Sequence, residues 1–183
     1  MIYIVMAEGF EEIEALTPYN LMRRAKLPVK LVSLTEATPK GATLSLPVKC
    51  DITIDEALAS PDKIDLLMFP GGLGGTLNAN EHPSTSALIE KALGDGAYLA
   101  AICAAPMILG VRGLLFGKRA IAYPDFIKYL EGADTEHGEL VCRDGKIITA
   151  AGMGVAFQFG IELIRALCGD EFAKELKEKV RGA

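Results

Sequence analysis

Short apolar runs alternate with segments of helical pattern along most of the chain. Continuous apolar runs bounded by turn residues are typical of strands that are buried on both faces of a sheet. We predict such strands over residues 1–7, 29–34, 64–69 and 98–102. Apolar positions at helical spacing predict helices over residues 12–25, 83–93, 104–109, 157–168 and 172–180. Pro18 fits the first helix only near its start, because proline lacks the N–H that an interior position needs.

Two segments contain turn signals. Residues 35–51 are rich in Thr, Pro and Gly, which favours a loop with a short hairpin over a βαβ unit. Residues 140–142 and 146–150 predict a second hairpin with its turn at Asp144-Gly145.

Strands that alternate with helices predict an α/β layered fold with a mainly parallel sheet. In such sheets, ligand sites collect beyond the carboxyl ends of the strands. Three strand ends carry unusual residues: an acidic turn at 7–14, a glycine-rich segment at 70–75, and a cysteine with small neighbours at 103–106. No internal repeat, low-complexity tract or linker interrupts the pattern, so we expect a single domain over residues 1–183.

Cys103 lies where the apolar run 98–102 stops and small residues begin. A cysteine at a tight strand-to-helix turn presents its sulfur at the rim of the sheet, near helix amides that favour a thiolate. The layout is that of a nucleophile elbow, with cysteine in place of serine and alanines in place of the usual glycines. The alternative is an ordinary buried thiol that serves only packing.

The other two strand ends supply candidate partners for this thiol. Glu8, Glu11, Glu12 and Glu14 crowd the turn after the first strand. Acids are favourable at a helix N-terminus, but one carboxyl that faces the thiol would act as a general acid and base. The segment 70–75 lacks the Lys-Ser/Thr of a phosphate loop, so it is either a plain turn or a loop whose amides bind an oxyanion.

Composition and charge narrow the classes of partner. The net charge is -5 with acids and bases interspersed, which argues against nucleic acid and anionic membranes as partners. No apolar run approaches the roughly 20 residues that span a bilayer, and the start of the chain reads as a strand rather than a signal peptide. Cys50, Cys103, Cys142 and Cys168 show no metal or secreted-framework spacing, so we expect reduced thiols, a cytoplasmic location and no bound metal.

The two histidines are poorly placed for catalysis. His82 precedes a proline at a helix start and His137 lies in a polar segment, so we expect both on the solvated surface. Their placement argues against a Cys-His hydrolase.

Five segments, in this order, resemble the ThiJ/PfpI (DJ-one) superfamily, in particular the branch of the Parkinson-associated protein deglycase and its bacterial homologues. They are EGFEEIE at 8–14 with MRR at 22–24, FPGG at 69–72, AAICAAP at 100–106, DGKIIT at 144–149 and GMG at 152–154. The resemblance covers nearly the whole chain. It implies a flavodoxin-like three-layer sandwich, with a mainly parallel sheet and helices on both faces, and a homodimer.

The resemblance also implies roles for single residues. Cys103 is the reactive thiol, and Glu14 is the acid that hydrogen-bonds it. The amides of Gly72 and Ala104, with Gly71 beside them, form an oxyanion and substrate pocket. Tyr123, which we count with the substrate-binding residues, replaces a histidine of many members, and a phenol with a pKa of about 10 is a poor base at neutral pH. Ala104 stands where protease-like relatives carry a histidine, which argues against a Cys-His protease or amidotransferase.

The leading hypothesis is a glutathione-independent glyoxalase or deglycase that needs no cofactor and converts α-oxoaldehydes such as methylglyoxal to 2-hydroxy acids. Cys103 would form a hemithioacetal with the small aldehyde, and Glu14 would move the protons. The alternative is a redox-responsive stress protein or chaperone in which Cys103 is oxidised to a sulfinate. A third interpretation is a scaffold whose cysteine has no chemical role.

Overall fold

A seven-stranded sheet forms the centre of the computed structural model, which describes residues 1–182. The strands are β1 Ile2–Met6, β2 Val29–Ser33, β3 Ile52–Thr53, β4 Leu66–Phe69, β5 Tyr98–Ile102, β6 Val141–Asp144 and β7 Ile147–Ala150. Their order is β3-β2-β1-β4-β5-β7-β6, and only β6 runs antiparallel to its neighbour. The carboxyl ends of β1, β4 and β5, the three strands predicted to carry the site, therefore lie side by side.

Seven α-helices cover the two faces of this sheet. They are α1 Glu12–Arg24, α2 Ile54–Ala59, α3 Leu73–Glu81, α4 Pro83–Gly94, α5 Pro106–Gly110, α6 Ala156–Cys168 and α7 Asp170–Lys179. Helices α1, α6 and α7 pack on one face, and α2 to α5 pack on the other. The architecture is the predicted flavodoxin-like sandwich of three layers.

Successive side chains of β1 point to opposite faces of the sheet, so this one strand contributes residues to both hydrophobic cores. Ile2, Ile4 and Met6 project into the core beneath α1 and α6, whereas Tyr3 and Val5 project into the core beneath α3 and α4. Because both faces are covered, every residue of β1 is buried and the strand reads as a continuous apolar run.

The loop after β2 contains the short hairpin that the sequence predicts, in minimal form. Lys40 and Pro47 form an antiparallel bridge, and the N–H groups of Gly41 and Val48 donate to the carbonyls of Leu46 and Pro39. The sequence prediction is incomplete beyond this loop. Strand β3 and helix α2, which the prediction omitted, follow this loop, and β3 adds to the sheet parallel to β2. Helix α2 begins with a capping box formed by Thr53 and Glu56.

Pro18 lies inside α1 rather than near its start, contrary to the prediction. It is buried where α1 crosses α6: a Cβ added to Gly160 would lie 3.3 Å from the Pro18 Cα. This close packing offsets the cost of the hydrogen bond that proline cannot donate.

The predicted hairpin is formed by β6 and β7, but its turn is centred one residue later, on Gly145 and Lys146. Gly145 has a φ of 59°, which favours glycine in such a turn. Among the described residues, no helix has the length and apolar character needed to cross a membrane.

Candidate active site

Cys103 occupies a strained turn between β5 and α5. Its φ is 65°, in the left-handed region that a residue with a Cβ adopts at a cost of roughly 1–3 kcal/mol. Two backbone hydrogen bonds hold it there: its N–H donates to the Ala150 carbonyl at 2.8 Å, and its carbonyl accepts the Tyr123 N–H at 2.8 Å. Ala104, the next residue, is buried. The backbone is that of a nucleophile elbow, as the sequence predicts.

Glu14, on the first turns of α1, is fully buried. Its Oε2 accepts the Gly71 N–H at 3.0 Å, which joins the acidic turn after β1 to the glycine segment after β4. Its Oε1 has no hydrogen-bond partner among residues 1–182. A buried polar oxygen without a partner is uncommon in proteins and marks a place where a ligand or a reacting group can bind.

Gly71 lies between Glu14 and Cys103. A Cβ on Gly71 would stand 2.4 Å from Glu14 Oε2 and 2.7 Å from the Cys103 Cβ, so both side chains occupy the space that a larger residue would fill. Gly72 has a φ of 87°, and a Cβ there would lie 2.4 Å from the Gly9 carbonyl oxygen. The two glycines therefore let three strand ends meet. The predicted loop 70–75 is shorter than expected, because α3 already begins at Leu73.

Burial controls the protonation of this pair. Desolvation raises the pKa of Glu14 to about 7; interaction with the Cys103 thiol opposes the rise, the charge of Glu11 adds to it, and the Gly71 amide opposes it. Desolvation also raises the pKa of Cys103 to about 12, with the negative charge of Glu14 acting in the same direction. The backbone amides of Ala104 and Gly72 donate to the sulfur and lower its pKa, but they do not outweigh burial.

The low-pKa thiolate expected from the helix amides is therefore not the resting form of Cys103. Because Glu14 loses its proton near pH 7 and its charge raises the pKa of Cys103, the pair carries one negative charge and holds one proton between about pH 7 and pH 12. Transfer of this proton from sulfur to carboxyl produces a thiolate that the Gly72 and Ala104 amides stabilise. Glu14 is thus positioned to act as the base for its neighbouring thiol.

Tyr123 is connected to Cys103 through its backbone, as described above, and its ring lies near Gly152, two residues beyond the end of β7. The side chain is 48% exposed, and its Cδ2 lies 3.7 Å from the position that a Gly152 Cβ would take. Tyr123 is not among the groups that shift the pKa of Cys103. The phenol therefore does not contribute to the ionisation of the thiol, and the role of Tyr123 in substrate binding stays a prediction.

The four acids after β1 have four different partners. Glu11 caps α1 by accepting the Glu14 N–H at 2.8 Å, and Glu8 accepts the Lys40 N–H at 2.9 Å. Glu12 is buried and accepts the Leu44 N–H at 2.7 Å. One acid caps the helix, two hold the loop after β2, and only Glu14 faces Cys103. The sequence analysis did not predict that Glu12 holds this loop, because the sequence does not show that the loop folds back against the start of α1.

Neither histidine belongs to this site. His82 caps α4, with its Nδ1 accepting the Ser84 N–H at 3.3 Å. The expectation of a solvated His137 is wrong: its side chain is only 6% exposed, and its Nε2 lies 3.2 Å from the Ala120 carbonyl oxygen. A polar stretch of sequence did not reveal that this ring folds back against the protein.

Comparison with known proteins identifies the family. The model of the DJ-1/PfpI family matches residues 1–166. The Parkinson disease protein 7 homolog of Danio rerio is 30% identical over 176 residues, which are 95% of this chain and 93% of that protein. The structure of oxidized DJ-1 from Toxoplasma gondii superimposes with a TM-score of 0.91 at 29% identity, covering 100% of this chain and 98% of that one. An isonitrile hydratase of Pseudomonas putida is 28% identical over 90% of this chain and 70% of its own length. The chain belongs to the DJ-1/PfpI family, as its sequence motifs predict.

Proposed function

We propose that the protein is a glutathione-independent enzyme that converts small α-oxoaldehydes such as methylglyoxal to 2-hydroxy acids, with Cys103 as nucleophile and Glu14 as general acid and base. The observation that carries the proposal is the pairing of a strained cysteine with a buried carboxyl whose pKa is about 7. A group with a pKa near the working pH accepts and returns protons most efficiently.

The first step is addition of the thiol to the aldehyde. The Cys103 sulfur bonds to the aldehyde carbon, and the carbonyl electron pair moves to oxygen. Glu14 takes the thiol proton and passes it to that oxygen, which completes a hemithioacetal. The amides of Gly72 and Ala104 already donate to the sulfur, so they are close enough to stabilise an oxyanion that forms beside it.

The second step moves a proton between two carbons. Glu14, again a carboxylate, removes the proton from the former aldehyde carbon and returns it to the neighbouring carbonyl carbon through an enediol. The product is a thioester of a 2-hydroxy acid, which water hydrolyses to release the acid and the thiol. One methylglyoxal and one water give one lactic acid; the aldehyde carbon is oxidised and its neighbour is reduced, so no cofactor is needed.

The test is lactate formation from methylglyoxal in a buffer without glutathione. We expect Cys103→Ser to abolish turnover and Glu14→Gln to lower kcat by about 100-fold or more, the usual contribution of acid–base catalysis. Cys168→Ser is the matched control, because it removes a partly buried thiol at the end of α6. Full activity of Cys103→Ser, or activity that requires added glutathione, would refute the mechanism.

A second candidate is a redox-responsive stress protein or chaperone, and the partnerless Glu14 Oε1 favours it. Two molecules of peroxide would convert the Cys103 thiol to a sulfinate and release two waters, and a protonated Glu14 could donate a hydrogen bond to the new oxygen. The related Toxoplasma gondii protein is described as oxidized. Peroxide titration followed by intact-mass analysis distinguishes the candidates: uptake of two oxygens at Cys103 without aldehyde turnover supports the sensor.

Three further properties belong to this proposal: a single domain, a homodimer and a cytoplasmic location. Family membership supports the homodimer, and the four free cysteines are compatible with a reducing compartment. Light scattering of the purified protein tests the dimer, and a monomer at micromolar concentration would contradict it.

A further inference from the structure

Three side chains with the chemistry of zinc ligands converge at the edge strand β6, outside the candidate active site. They are His137 and Glu139, in the segment before β6, and Cys142 within it. One nitrogen, one oxygen and one sulfur of this set all lie within 4.8 Å of one another. Cys142 is 1% exposed and the His137 side chain 6%, so two of the three donors are held inside the protein.

The backbone around His137 fixes the orientation of its ring. Its Nε2 lies 3.2 Å from the Ala120 carbonyl, an acceptor only, so Nε2 carries the proton. Its Nδ1 then presents a lone pair, which accepts the Glu139 N–H at 3.2 Å. Histidines that bind a metal usually donate one ring N–H to a backbone carbonyl or carboxylate, and the other ring nitrogen faces the metal and its other ligands.

A cation already interacts with this cluster. Arg119 Nη1 lies 3.0 Å from Glu139 Oε1, and Nη2 donates to the Arg143 carbonyl at 3.3 Å. The Arg119 side chain is 44% exposed, so it can turn into solvent. The cluster therefore already holds a cation beside it, through one ion pair and one hydrogen bond at the protein surface.

We propose that His137, Glu139 and Cys142 form a binding site for a zinc-type divalent cation, which displaces the Arg119 guanidinium. Thiolate sulfur, imidazole nitrogen and carboxylate oxygen are the ligands that zinc takes in proteins, whereas magnesium and calcium take oxygen alone. Cys142 releases its proton to solvent as the metal–sulfur bond forms, and the Glu139 amide gives up its bond to Nδ1. Three protein ligands leave a fourth position for water.

A metal bound at this cluster would stabilise the segment that lies next to the candidate active site. Ala120, which orients His137, lies three residues before Tyr123, whose N–H holds the Cys103 carbonyl. A metal bound at β6 would therefore fix the segment 119–123 against both the edge strand and the elbow. Binding to the folded state alone raises the melting temperature with metal concentration.

Cobalt provides a test that does not depend on enzymatic activity. Co²⁺ is titrated into the full-length protein in a Cys103→Ser background, which removes the other candidate thiol. We expect one equivalent to give a sulfur-to-cobalt charge-transfer band in the near ultraviolet, and Zn²⁺ to displace the Co²⁺. Cys142→Ser should abolish this band, whereas Cys168→Ser, which removes a thiol outside the cluster, should retain it.

Affinity measurements complete the test. In competition with a chromophoric chelator, we expect Zn²⁺ to bind at least about 10-fold more weakly to His137→Gln and to Glu139→Gln, the size of loss that misplacing a metal ligand gives. Arg119→Ala should bind more tightly, because a competing cation is gone. The proposal is overturned if the folded Cys103→Ser protein shows no thiolate band, or if the band survives Cys142→Ser. It is also overturned if removing Cys103 alone abolishes zinc binding.

Discussion

Gly71 is the place where the two candidate catalytic groups meet, and adding one methyl group there tests whether their contact matters. The Cβ of Gly71→Ala would lie 2.4 Å from Glu14 Oε2, where ordinary contacts begin at 3.4 Å, so the overlap is about 1 Å. The backbone at Gly71 lies outside the left-handed region, so alanine brings no backbone strain. The substitution therefore perturbs the contact and leaves both reactive groups in the chain.

The size of the effect follows from what must move. The carboxyl has to withdraw from Gly71, which lengthens or breaks the 3.0 Å hydrogen bond between the Gly71 N–H and Oε2. The Cys103 Cβ at 2.7 Å and the Ile102 carbonyl oxygen at 2.9 Å must shift as well, so the thiol moves with the carboxyl. Disrupting a hydrogen bond to a buried carboxyl costs about 1–3 kcal/mol of unfolding free energy. A displacement of about 1 Å in a catalytic group lowers the rate by about 100-fold. We expect kcat/KM for methylglyoxal to fall by about this factor.

Steady-state lactate formation and urea unfolding measure the two effects, and near-ultraviolet circular dichroism confirms that the variant is folded. The control is Gly74→Ala in the same segment, where the added Cβ would come no closer than 3.5 Å to a neighbouring atom. We expect this control to keep its activity. If folded Gly71→Ala turns over methylglyoxal as the wild type does, the close contact at Gly71 is not required for catalysis. The same conclusion follows if both variants lose activity equally.

Three further predictions concern Glu14, Glu12 and Tyr123. The pKa of Glu14 is raised from 4.5 to about 7, so the folded state holds a proton that the unfolded state has lost, and stability falls by up to about 3 kcal/mol as the pH rises through this window. Urea unfolding at about pH 5 and pH 8 should show this loss in the wild type; the same loss in Glu14→Gln would contradict the assignment. Glu12→Gln should weaken the charge-assisted bonds to the amides of residues 43 and 44 and cost about 1–3 kcal/mol. Hydrogen exchange at those two amides should then accelerate, and unchanged exchange would show that Glu12 does not hold the loop. Tyr123→Phe removes at most one neutral hydrogen bond to substrate, so KM should rise by no more than about 10-fold with kcat unchanged; a large loss of kcat would instead make the phenol part of the catalytic machinery.

The elements that were predicted correctly are those whose burial produces a recognisable pattern of apolar residues in the sequence. Strand β5 is buried on both faces except at its first residue, so residues 98–102 read as one apolar run and the predicted bounds are those observed. Helix α6 has one buried side and shows the helical spacing of that side. Strand β3 has only two residues, and α2 buries only Ile54 and Ala57, which is too little to create a period. The capping box at Thr53 and Glu56 was the available signal for α2.

Some features of the candidate site are determined by residues close in sequence, and others by residues far apart in sequence. The turn at Cys103 could be predicted, because a strand end followed by small residues is a local property of the chain. The choice among four acids could not be made from the residues alone, because Glu8, Glu12 and Glu14 each bind a backbone amide far along the sequence. Gly71 is 57 residues from Glu14 in sequence, and it is the hydrogen bond between them that turns this carboxyl toward the thiol. The resemblance to the family pointed to Glu14 without supplying that physical reason.

The raised pKa of Cys103 changes how reactivity at this site should be understood. A lone buried thiol with a pKa of about 12 would be inert at neutral pH, and the amides of Ala104 and Gly72 are too few to reverse this. A thiol next to a carboxyl with a pKa of about 7 does not need to lose its proton to water, because it can transfer the proton to that carboxyl as the sulfur attacks. The same transfer precedes addition to an aldehyde and oxidation by a peroxide. The two proposed functions therefore share their first step, and they separate only according to whether an electrophilic carbon or an electrophilic oxygen reaches the sulfur.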